Sequence, residues 1–201
     1  LSLKGDRQER GMMTMRSPDT RFLRPIGVRW LITDKREPGL KLLTSVTSKM
    51  GTIHLQEIQN VNIGNWSPTE YIVSKNLNST KRLLSEDSFD FEKKLVLEQE
   101  IFHRNATKII DANMKVVQNG YHVKASSKGF SFLLLPVEFS NCFTLSVQSG
   151  DVSAELLAAN IFQSVLMFEN EIDVLVEYRN GPLTNSDCRL KDQQQFVKLI
   201  D

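Results

Sequence analysis

The chain has 201 residues, of which 40% are hydrophobic and 24% charged, so it has a globular composition and enough length for one sizeable core. Its 25 Lys and Arg are balanced by 24 Asp and Glu, and this balance excludes a general electrostatic attraction to nucleic acid or anionic lipid. The longest apolar runs fall short of the ~20 residues that span a bilayer. We therefore predict a soluble fold that needs no metal, no other cofactor and no disulfide framework.

Residues 1–16 are polar and show no hydrophobic period, which predicts a mobile lead-in. They contain no basic segment followed by an apolar stretch, so no signal peptide is indicated. The chain begins at Leu1 rather than Met, which suggests a fragment or a processed chain. Ser17 as N-cap and Pro18 at the first helical position then predict a short helix that ends before Pro25.

Short strands follow at turn-separated intervals. They are predicted at "VRWLIT", "LKLLTSV", "TIHLQEIQ", "EYIVS", "KKLVLEQEIF", "KIIDANMKVVQ", "GYHVKAS", "FSFLLLPV", "FTLSVQ", "NIFQSVLMF" and "DVLVEYR". Gly, Asn and Pro lie between these segments, a pattern typical of an antiparallel β-sandwich or jelly-roll rather than a βα alternation. We therefore predict a mainly β chain with a few short helices.

Two later segments have the spacing of helices. They are "STKRLLSE" and "DCRLKDQQQFVKLI", whereas "SAELLAAN" is interpreted as irregular or as leading into a strand. The predicted organisation is a mobile lead-in over residues 1–16, a β-sandwich domain over residues 17–180 and a helical C-terminal tail over residues 181–201.

Histidine and cysteine show no pattern that indicates a metal or redox site. His54, His103 and His122 lie far apart, and none has a second His or a carboxylate at ligand spacing on the same element, so no metal site is predicted. Cys142 and Cys188 follow no CxxC spacing. They form either one disulfide, if the domain lies outside the cytoplasm, or two buried thiols.

An acidic stretch, "SEDSFDFEKKLVLEQE", invites comparison with the paired carboxylates of glycosidases. A catalytic pair needs one carboxyl in an apolar pocket that raises its pKa. Here Glu98 and Glu100 alternate with other residues as on the solvent-facing side of a strand, and Asp87 and Asp90 lie in a turn. A hydrolase that uses Asp90 and Glu92 is therefore kept as a third hypothesis only, and no catalytic residue is predicted.

Aromatic residues are the remaining candidates for binding. Trp66 lies in "NIGNWSPTEY", a segment rich in loop formers, and Tyr71 ends that segment; loops on a β scaffold often carry binding residues. Both are candidate ligand-binding residues that could stack against a sugar ring, but for Trp66 the favoured interpretation is a lid that packs on the core. Trp30 and Tyr178 fall inside predicted strands, and we expect them to be in the core or half-buried.

Leu134 and Asn160 are predicted to have structural roles. Alternation along "FSFLLLPV" and "FTLSV" places Phe132, Leu134, Leu145 and Val147 among the core positions. Asn160 lies between small residues and an apolar strand, where its amide is expected to satisfy backbone groups of the adjoining turn. A hydrogen bond from Asn160 to a sugar hydroxyl is the functional alternative.

The order of several phrases resembles a known family. "LRPIGVRWLIT" resembles the "L..lGVRYLIT" phrase that opens the soluble C-terminal region of YfhO-type bacterial membrane proteins, which are relatives of the polytopic glycosyltransferases that use lipid-linked sugars. Four later segments are similar to later phrases of that region, in the same order. They are "TIHLQEIQNVNIGNWSPTEYIV", "SEDSFDFEKKLVLEQE", "GYHVKASSKGFSFLLLPVEFSNCFTLSVQSG" and "LLAANIFQSVLMFENEIDVLVEYR".

The resemblance covers most of the chain and departs from the family at turns. Asn141, Cys142 and Phe143 stand where the family has Pro-Gly-Trp, whereas Asn160 matches a recurrent asparagine. The resemblance implies a non-catalytic domain on the extracytoplasmic face of a bacterial membrane, which supports or positions a glycan acceptor. Its expected partners are the membrane part of the parent protein and a glycan, and no nucleic acid. A free-standing carbohydrate-binding or adhesion module is the alternative.

Overall fold

The structure, a computed structural model, describes residues 7–9, 12–14, 18–101, 105–178 and 187–200. In these ranges the strands are β1 (Arg7–Glu9), β2 (Met12–Thr14), β3 (Trp30–Thr33), β4 (Lys41–Ser48), β5 (Gly51–Glu57), β6 (Glu70–Val73), β7 (Lys94–Leu97), β8 (Asp111–Val117), β9 (Gly120–Glu138), β10 (Phe143–Gly150), β11 (Glu155–Ala159) and β12 (Gln163–Tyr178). The helices are α1 (Thr20–Leu23), α2 (Leu77–Ser85) and α3 (Asp187–Ile200). The fold is mainly β with few helices and is consistent with a β-sandwich, which confirms the predicted fold class.

The chain divides into two compact units, residues 1–61 and residues 62–201. The sandwich domain predicted over residues 17–180 therefore covers parts of both. The predicted lead-in, residues 1–16, lies mostly outside the described residues, apart from β1 and β2, which pair antiparallel. The start of the predicted tail also lies outside them, and its helix is α3.

The first unit contains a three-stranded antiparallel sheet in the order β3–β5–β4. Helix α1 precedes it, and its N-cap is Asp19, whose carboxylate accepts a hydrogen bond from the Arg21 N–H at 3.0 Å. The prediction that Pro18 occupies the first helical position is wrong, because the helix begins two residues later, at Thr20, where the Asp19 side chain caps it. The predicted N-cap Ser17 lies outside the described residues.

The second unit is built on a seven-stranded sheet in the order β6–β7–β11–β12–β9–β8, with β10 also paired to β12. All pairs are antiparallel except β6 with β7, which are parallel and are connected through α2. Helix α2 begins after Asn76, whose side chain accepts a hydrogen bond from the Ser79 N–H at 3.0 Å. The predicted helices at "STKRLLSE" and at the C-terminus are therefore both present.

Strands β9 and β12 are each longer than predicted, because each joins two segments that the sequence pattern separates. Their pairing shifts register between Glu169 and Glu171, and Asn170 adopts a positive φ of 65°. Such a bulge bends a strand without ending it. The polar residues near "SSKG" and "ENE" therefore mark a bend in two continuous strands.

Alternation places two sets of side chains on the two faces of the second half of β9. On one face Leu133 and Leu135 join a buried cluster with residues from both halves of β9 and β12. On the other face Phe132 and Leu134 are fully buried. Because this half of β9 is covered on both faces, it has a continuous apolar run rather than an alternating one.

Candidate functional site

The second unit carries a cavity of about 570 Å³ that has four aromatic side chains in its wall. They are Tyr121, Phe139, Phe143 and Phe162, and Glu138, Ser140 and Asp192 add polar groups. Aromatic faces together with a few carboxylate and hydroxyl groups are the usual lining of a site for a small polar-apolar ligand such as a sugar. We name these seven residues the aromatic cavity.

The bend in β9 brings the walls of the aromatic cavity together. Tyr121 lies near the start of this strand and Pro136 near its end, and both line the cavity. In a straight strand these two residues would be ~50 Å apart. Pairing of β9 with β12 supplies another wall, because the Phe139 N–H donates to the Phe162 carbonyl at 2.6 Å just beyond the paired ends. The Phe143 ring packs edge to face on Tyr121, at 6.3 Å between centroids.

Helix α3 is fastened beside the aromatic cavity by a disulfide and by a carboxylate. Cys142, in the loop before β10, is bonded to Cys188 on α3. Of the two arrangements that the sequence allowed for these cysteines, the structure has the disulfide. One turn further along α3, Asp192 accepts hydrogen bonds from the Ser140 hydroxyl at 2.6 Å and from the Asn141 N–H and side-chain amide at 2.8 and 2.7 Å.

The hydrogen bonds to Asp192 decide its ionisation. Burial alone would raise the pKa of this carboxyl, but the donors on Ser140 and Asn141 together outweigh burial and hold the pKa below its ordinary value. Asp192 therefore stays ionised at neutral pH and acts as an anchor for the loop rather than as a proton donor.

A second cavity, of about 500 Å³, lies on another side of the same loop and shares Phe139 and Ile161 with the first. Its wall also contains three charged side chains, which come from the loop before α2, from the residue after β7 and from α3. They are Lys75, Glu98 and Lys191. The loop that carries Phe139 therefore separates two concave surfaces, both of which α3 helps to line.

Neither residue predicted to stack against a sugar lies in the aromatic cavity. Trp66 is buried, with 8% of its surface exposed, and its carbonyl accepts a hydrogen bond from the Leu134 N–H at 2.9 Å. So little of Trp66 is exposed that its position agrees with the lid interpretation. Tyr71 is half-buried, its ring packs against Phe132 at 5.9 Å, and its hydroxyl donates to the Ile101 carbonyl at 3.3 Å.

Asn160 and Leu134 both lie inside the second unit. Asn160 has a positive φ of 50°, and its side-chain oxygen accepts a hydrogen bond from the Val96 N–H at 2.9 Å. Its amide nitrogen donates to Gln163 Oε1 at 3.0 Å. The backbone group that the side chain satisfies thus belongs to strand β7 and not to the adjoining turn. Leu134 has no exposed surface.

The carboxylates of the acidic stretch are not gathered into a site. Asp90 forms an ion pair with Lys93 at 3.2 Å and accepts from the Glu92 N–H at 3.0 Å, and Glu92 is exposed. This is the turn that the sequence predicted. Five described carboxyl groups have a pKa that clearly departs from the ordinary value, and each is lowered. They are Asp19, Glu57, Asp151, Asp173 and Asp192.

The histidines make local contacts. His54 Nδ1 lies 2.8 Å from the Ser45 hydroxyl across two strands, and His122 Nε2 lies 2.6 Å from Asp173 Oδ1. Hydrogen bonds from Lys124 and then His122 lower the pKa of Asp173. His103 lies outside the described residues. Within those residues, no three His, Cys, Asp or Glu side chains are grouped so as to hold a metal ion.

Sequence reasoning missed the aromatic cavity because its residues come from four separate segments. Phe139, Phe143 and Phe162 were visible only as apolar positions in or near strands. The one usable signal was the cysteine pair, because a disulfide between Cys142 and Cys188 places the C-terminal helix on the loop beside Phe139 and Phe143.

No protein-family model matches the chain, and no curated protein or solved structure is significantly similar to it. In the part of the chain that is described, none of the helices is both long and apolar enough to cross a bilayer.

Proposed function

We propose that this chain is a non-catalytic extracytoplasmic domain of a YfhO-type multispanning membrane protein, and that its aromatic cavity supports or positions a glycan acceptor. The observation that carries the proposal is the cavity itself, in which four aromatic rings stand beside the exposed carboxylate of Glu138. Rings stack on the apolar faces of sugars, and carboxylates accept hydrogen bonds from sugar hydroxyls.

Two further observations support the proposal. The disulfide between Cys142 and Cys188 is the form that cysteine takes in an oxidising compartment, as expected of an extracytoplasmic domain. The five carboxyl groups with shifted pKa values are all more acidic than usual and are fixed by hydrogen bonds, whereas a catalytic acid needs a raised pKa. These groups suit a supporting role better than hydrolysis.

The proposal is tested by screening the purified chain on a glycan array and titrating the hits by calorimetry. We expect weak binding, with a dissociation constant on the order of 1 mM, because a domain that only positions an acceptor works at high local concentration. Phe139→Ala, which removes a ring of the cavity, should abolish binding, and Glu138→Gln, which changes an exposed carboxylate, should weaken it. Glu155→Gln, an exposed carboxylate outside the cavity wall, is the matched control.

Two outcomes would refute a glycan role for the cavity. One is that no glycan binds. The other is that Phe139→Ala and Glu138→Gln bind glycan as the parent chain does and also melt like it. Binding tighter than ~1 μM by the isolated chain would instead favour the alternative of a free-standing carbohydrate-binding or adhesion module. Trp66→Phe should leave the affinity unchanged in either case, because that ring is buried.

A further inference from the structure

The sheet of the first unit exposes apolar side chains on one of its faces. Trp30 and Ile32 on β3 are 58% and 73% exposed, Val46 on β4 is 58% exposed and Ile53 on β5 is 52% exposed. The prediction that Trp30 lies in the core or is half-buried is therefore wrong, and Tyr178, for which the same was predicted, is also exposed. Contiguous apolar surface of this kind usually marks a site of interaction.

The strand register shows that these side chains share one face. Ile32 is paired with Leu55, and Val46 is paired with Ile53, and residues that are directly paired in an antiparallel sheet project to the same side. Positions 53 and 55 are two residues apart on β5, so both pairs lie on the same side of the sheet. Trp30 is two residues before Ile32 and continues this face. We name Trp30, Ile32, Val46, Ile53 and Leu55 the apolar face.

The opposite side of the sheet carries the half-buried Leu31 and Leu42 and the buried Gln56 at one end, and it is polar towards the β4–β5 hairpin. There Ser45 contacts His54 at 2.8 Å and Thr47 contacts Thr52 at 3.1 Å through their side-chain polar atoms. The usual arrangement of a half-exposed sheet has the apolar residues covered and the polar residues in water. This sheet leaves large apolar residues in water, which is costly unless something binds them.

The apolar face has basic residues at both ends. At one end Arg29 and Lys41 form ion pairs with the single carboxylate of Glu57, at 2.9 and 3.4 Å, which leaves a net positive charge. At the other end the β4–β5 hairpin carries the exposed Lys49 beside Met50, which is 98% exposed. A fully exposed methionine at a hairpin tip beside a lysine suits insertion into the region of lipid headgroups.

Charge is divided unequally between the two units. Residues 1–61 contain 11 Lys and Arg against six Asp and Glu, whereas residues 62–201 contain 14 against 18. The near balance of the whole chain therefore hides a basic first unit. The exclusion of anionic lipid, which was argued from the total charge, does not hold for this unit.

We propose that the apolar face and the β4–β5 hairpin of the first unit bind peripherally to the surface of a lipid bilayer that contains anionic headgroups. Three properties select this occupant. Tryptophan prefers the boundary between headgroups and acyl chains, the isoleucines and valine bury apolar area there, and the basic surroundings complement anionic lipid. A second copy of the chain bound face to face would bring two basic units together, which costs electrostatic energy.

Vesicle sedimentation tests this inference with the whole chain. Vesicles of phosphatidylcholine are compared with vesicles in which about a quarter of the lipid is phosphatidylglycerol, at low ionic strength. We expect at least about tenfold stronger partitioning to the anionic vesicles, and we expect the difference to shrink in 0.5 M salt, because screening weakens the charge attraction. Lys49→Gln should reduce partitioning to the anionic vesicles about fivefold.

Substitutions on the apolar face have a matched control in the other unit. Ile32→Ser combined with Val46→Ser should lower partitioning by about tenfold or more, because both side chains would be buried in the membrane interface. Val152→Ser removes an even more exposed valine, 86% exposed, from the second unit and should change nothing. All the substituted residues are exposed, so the variants should melt like the parent chain.

Tryptophan emission gives an independent measure of which face binds. The chain has two tryptophans, and Trp66 is buried, so a blue shift on adding anionic vesicles reports Trp30. The shift should vanish in Trp30→Phe. Equal partitioning of the Ile32→Ser, Val46→Ser variant and the parent chain would overturn the inference, as would equal binding to neutral and anionic vesicles. A dimer in vesicle-free sedimentation velocity that the double variant dissociates would assign the face to a second copy.

Discussion

Leu134 and Asn160 stabilise the second unit by different means. Leu134 contributes apolar area that is wholly removed from water, on a strand buried on both faces. Asn160 contributes hydrogen bonds, because its side chain satisfies the Val96 N–H of strand β7 and contacts Gln163 on strand β12. The two residues therefore differ in what a substitution leaves behind, which is a cavity in one case and unpaired polar groups in the other.

Leu134→Ala should lower the free energy of unfolding by about 2 to 5 kcal/mol, because it removes buried methyl groups and leaves a cavity that the surrounding strands fill incompletely. Urea denaturation with a fixed m-value measures the change. Ile63→Ala is the control, since Ile63 is 65% exposed and its truncation should cost well under 1 kcal/mol. An unchanged midpoint for Leu134→Ala would contradict the burial of this side chain.

Asn160→Ala should lower the free energy of unfolding by about 1 to 3 kcal/mol, because the Val96 N–H is then buried without an acceptor. Asn160→Gly separates this loss from backbone strain, since glycine adopts the positive φ at this position without cost. We expect the glycine variant to remain destabilised in chemical denaturation. Alanine and glycine variants that are both as stable as the parent chain would mean that the side-chain hydrogen bonds contribute nothing.

Single-residue environments were only partly predictable. Alternation along a strand shows which residues share a face, but it does not show which face is covered. For this reason Phe132 and Leu134 were placed correctly in the core, whereas Trp30 was expected there and is exposed. Trp66 is buried, as the lid interpretation expects, although its segment is rich in loop formers.

At the scale of elements, the second unit depends on how α3 is fastened. The disulfide joins Cys142 to Cys188 across 46 residues of chain, and Asp192 binds the same loop one turn further along the helix. Part of the wall of each cavity comes from α3. Release of the helix would therefore open both cavities without breaking the pairing of β9 with β12.

Removal of the disulfide by substituting both Cys142 and Cys188 with Ala should lower the free energy of unfolding by about 4 kcal/mol. This value is the loop-closure entropy of an unfolded chain cross-linked over 46 residues. Thermal melting of the parent chain with and without reductant gives the same comparison. The melting temperature of the double variant should not change with reductant. If the melting temperature of the parent chain did not change either, the two cysteines would not be bonded in solution.

Asp192→Asn should make stability less dependent on pH in the acid range. Because the pKa of Asp192 is lower in the folded protein than in the unfolded chain, its contribution is fully present above the unfolded value of about 3.9. It is lost as the pH falls below that value and through the folded pKa. Melting temperatures between pH 7 and pH 2.5 should therefore fall more steeply for the parent chain than for the variant.

Asp187→Asn is the matched control for this experiment, since Asp187 is an exposed carboxylate on the same helix. It should reproduce the pH profile of the parent chain. Profiles that are parallel for the parent chain and Asp192→Asn would contradict the role of Asp192 as an ionised anchor of the loop.

Elements were more predictable than single environments. The strands from β3 to β12 and the two longer helices all fall on segments with the expected alternation or helical spacing, or, for β11, on a segment interpreted as leading into a strand. Their ends were less predictable. A bulge at the register shift around Asn170 keeps β12 continuous through polar residues that the sequence pattern predicts to be a turn. Such a bulge depends on the partner strand.

At the scale of the whole chain, the sequence pattern predicted the fold class but not the candidate site. The aromatic cavity depends on the bend of β9, on its pairing with β12 and on the disulfide to α3. Each of these joins residues that are distant in the sequence. The basic character of the first unit was also hidden, because the boundary near residue 61 falls inside the domain predicted over residues 17–180.

The central proposal is that this chain lies on the extracytoplasmic face of a membrane as part of a multispanning protein. Protease protection of the endogenous protein, detected with an antibody against this chain, tests the claim most directly in intact spheroplasts and in inverted membrane vesicles. The account predicts that external protease removes the epitope from spheroplasts and leaves it intact in inverted vesicles, while the remainder of the protein stays in the membrane fraction. Two results would contradict it. One is protection of the epitope in spheroplasts with cleavage in inverted vesicles. The other is an epitope found only in the fraction that contains no membranes.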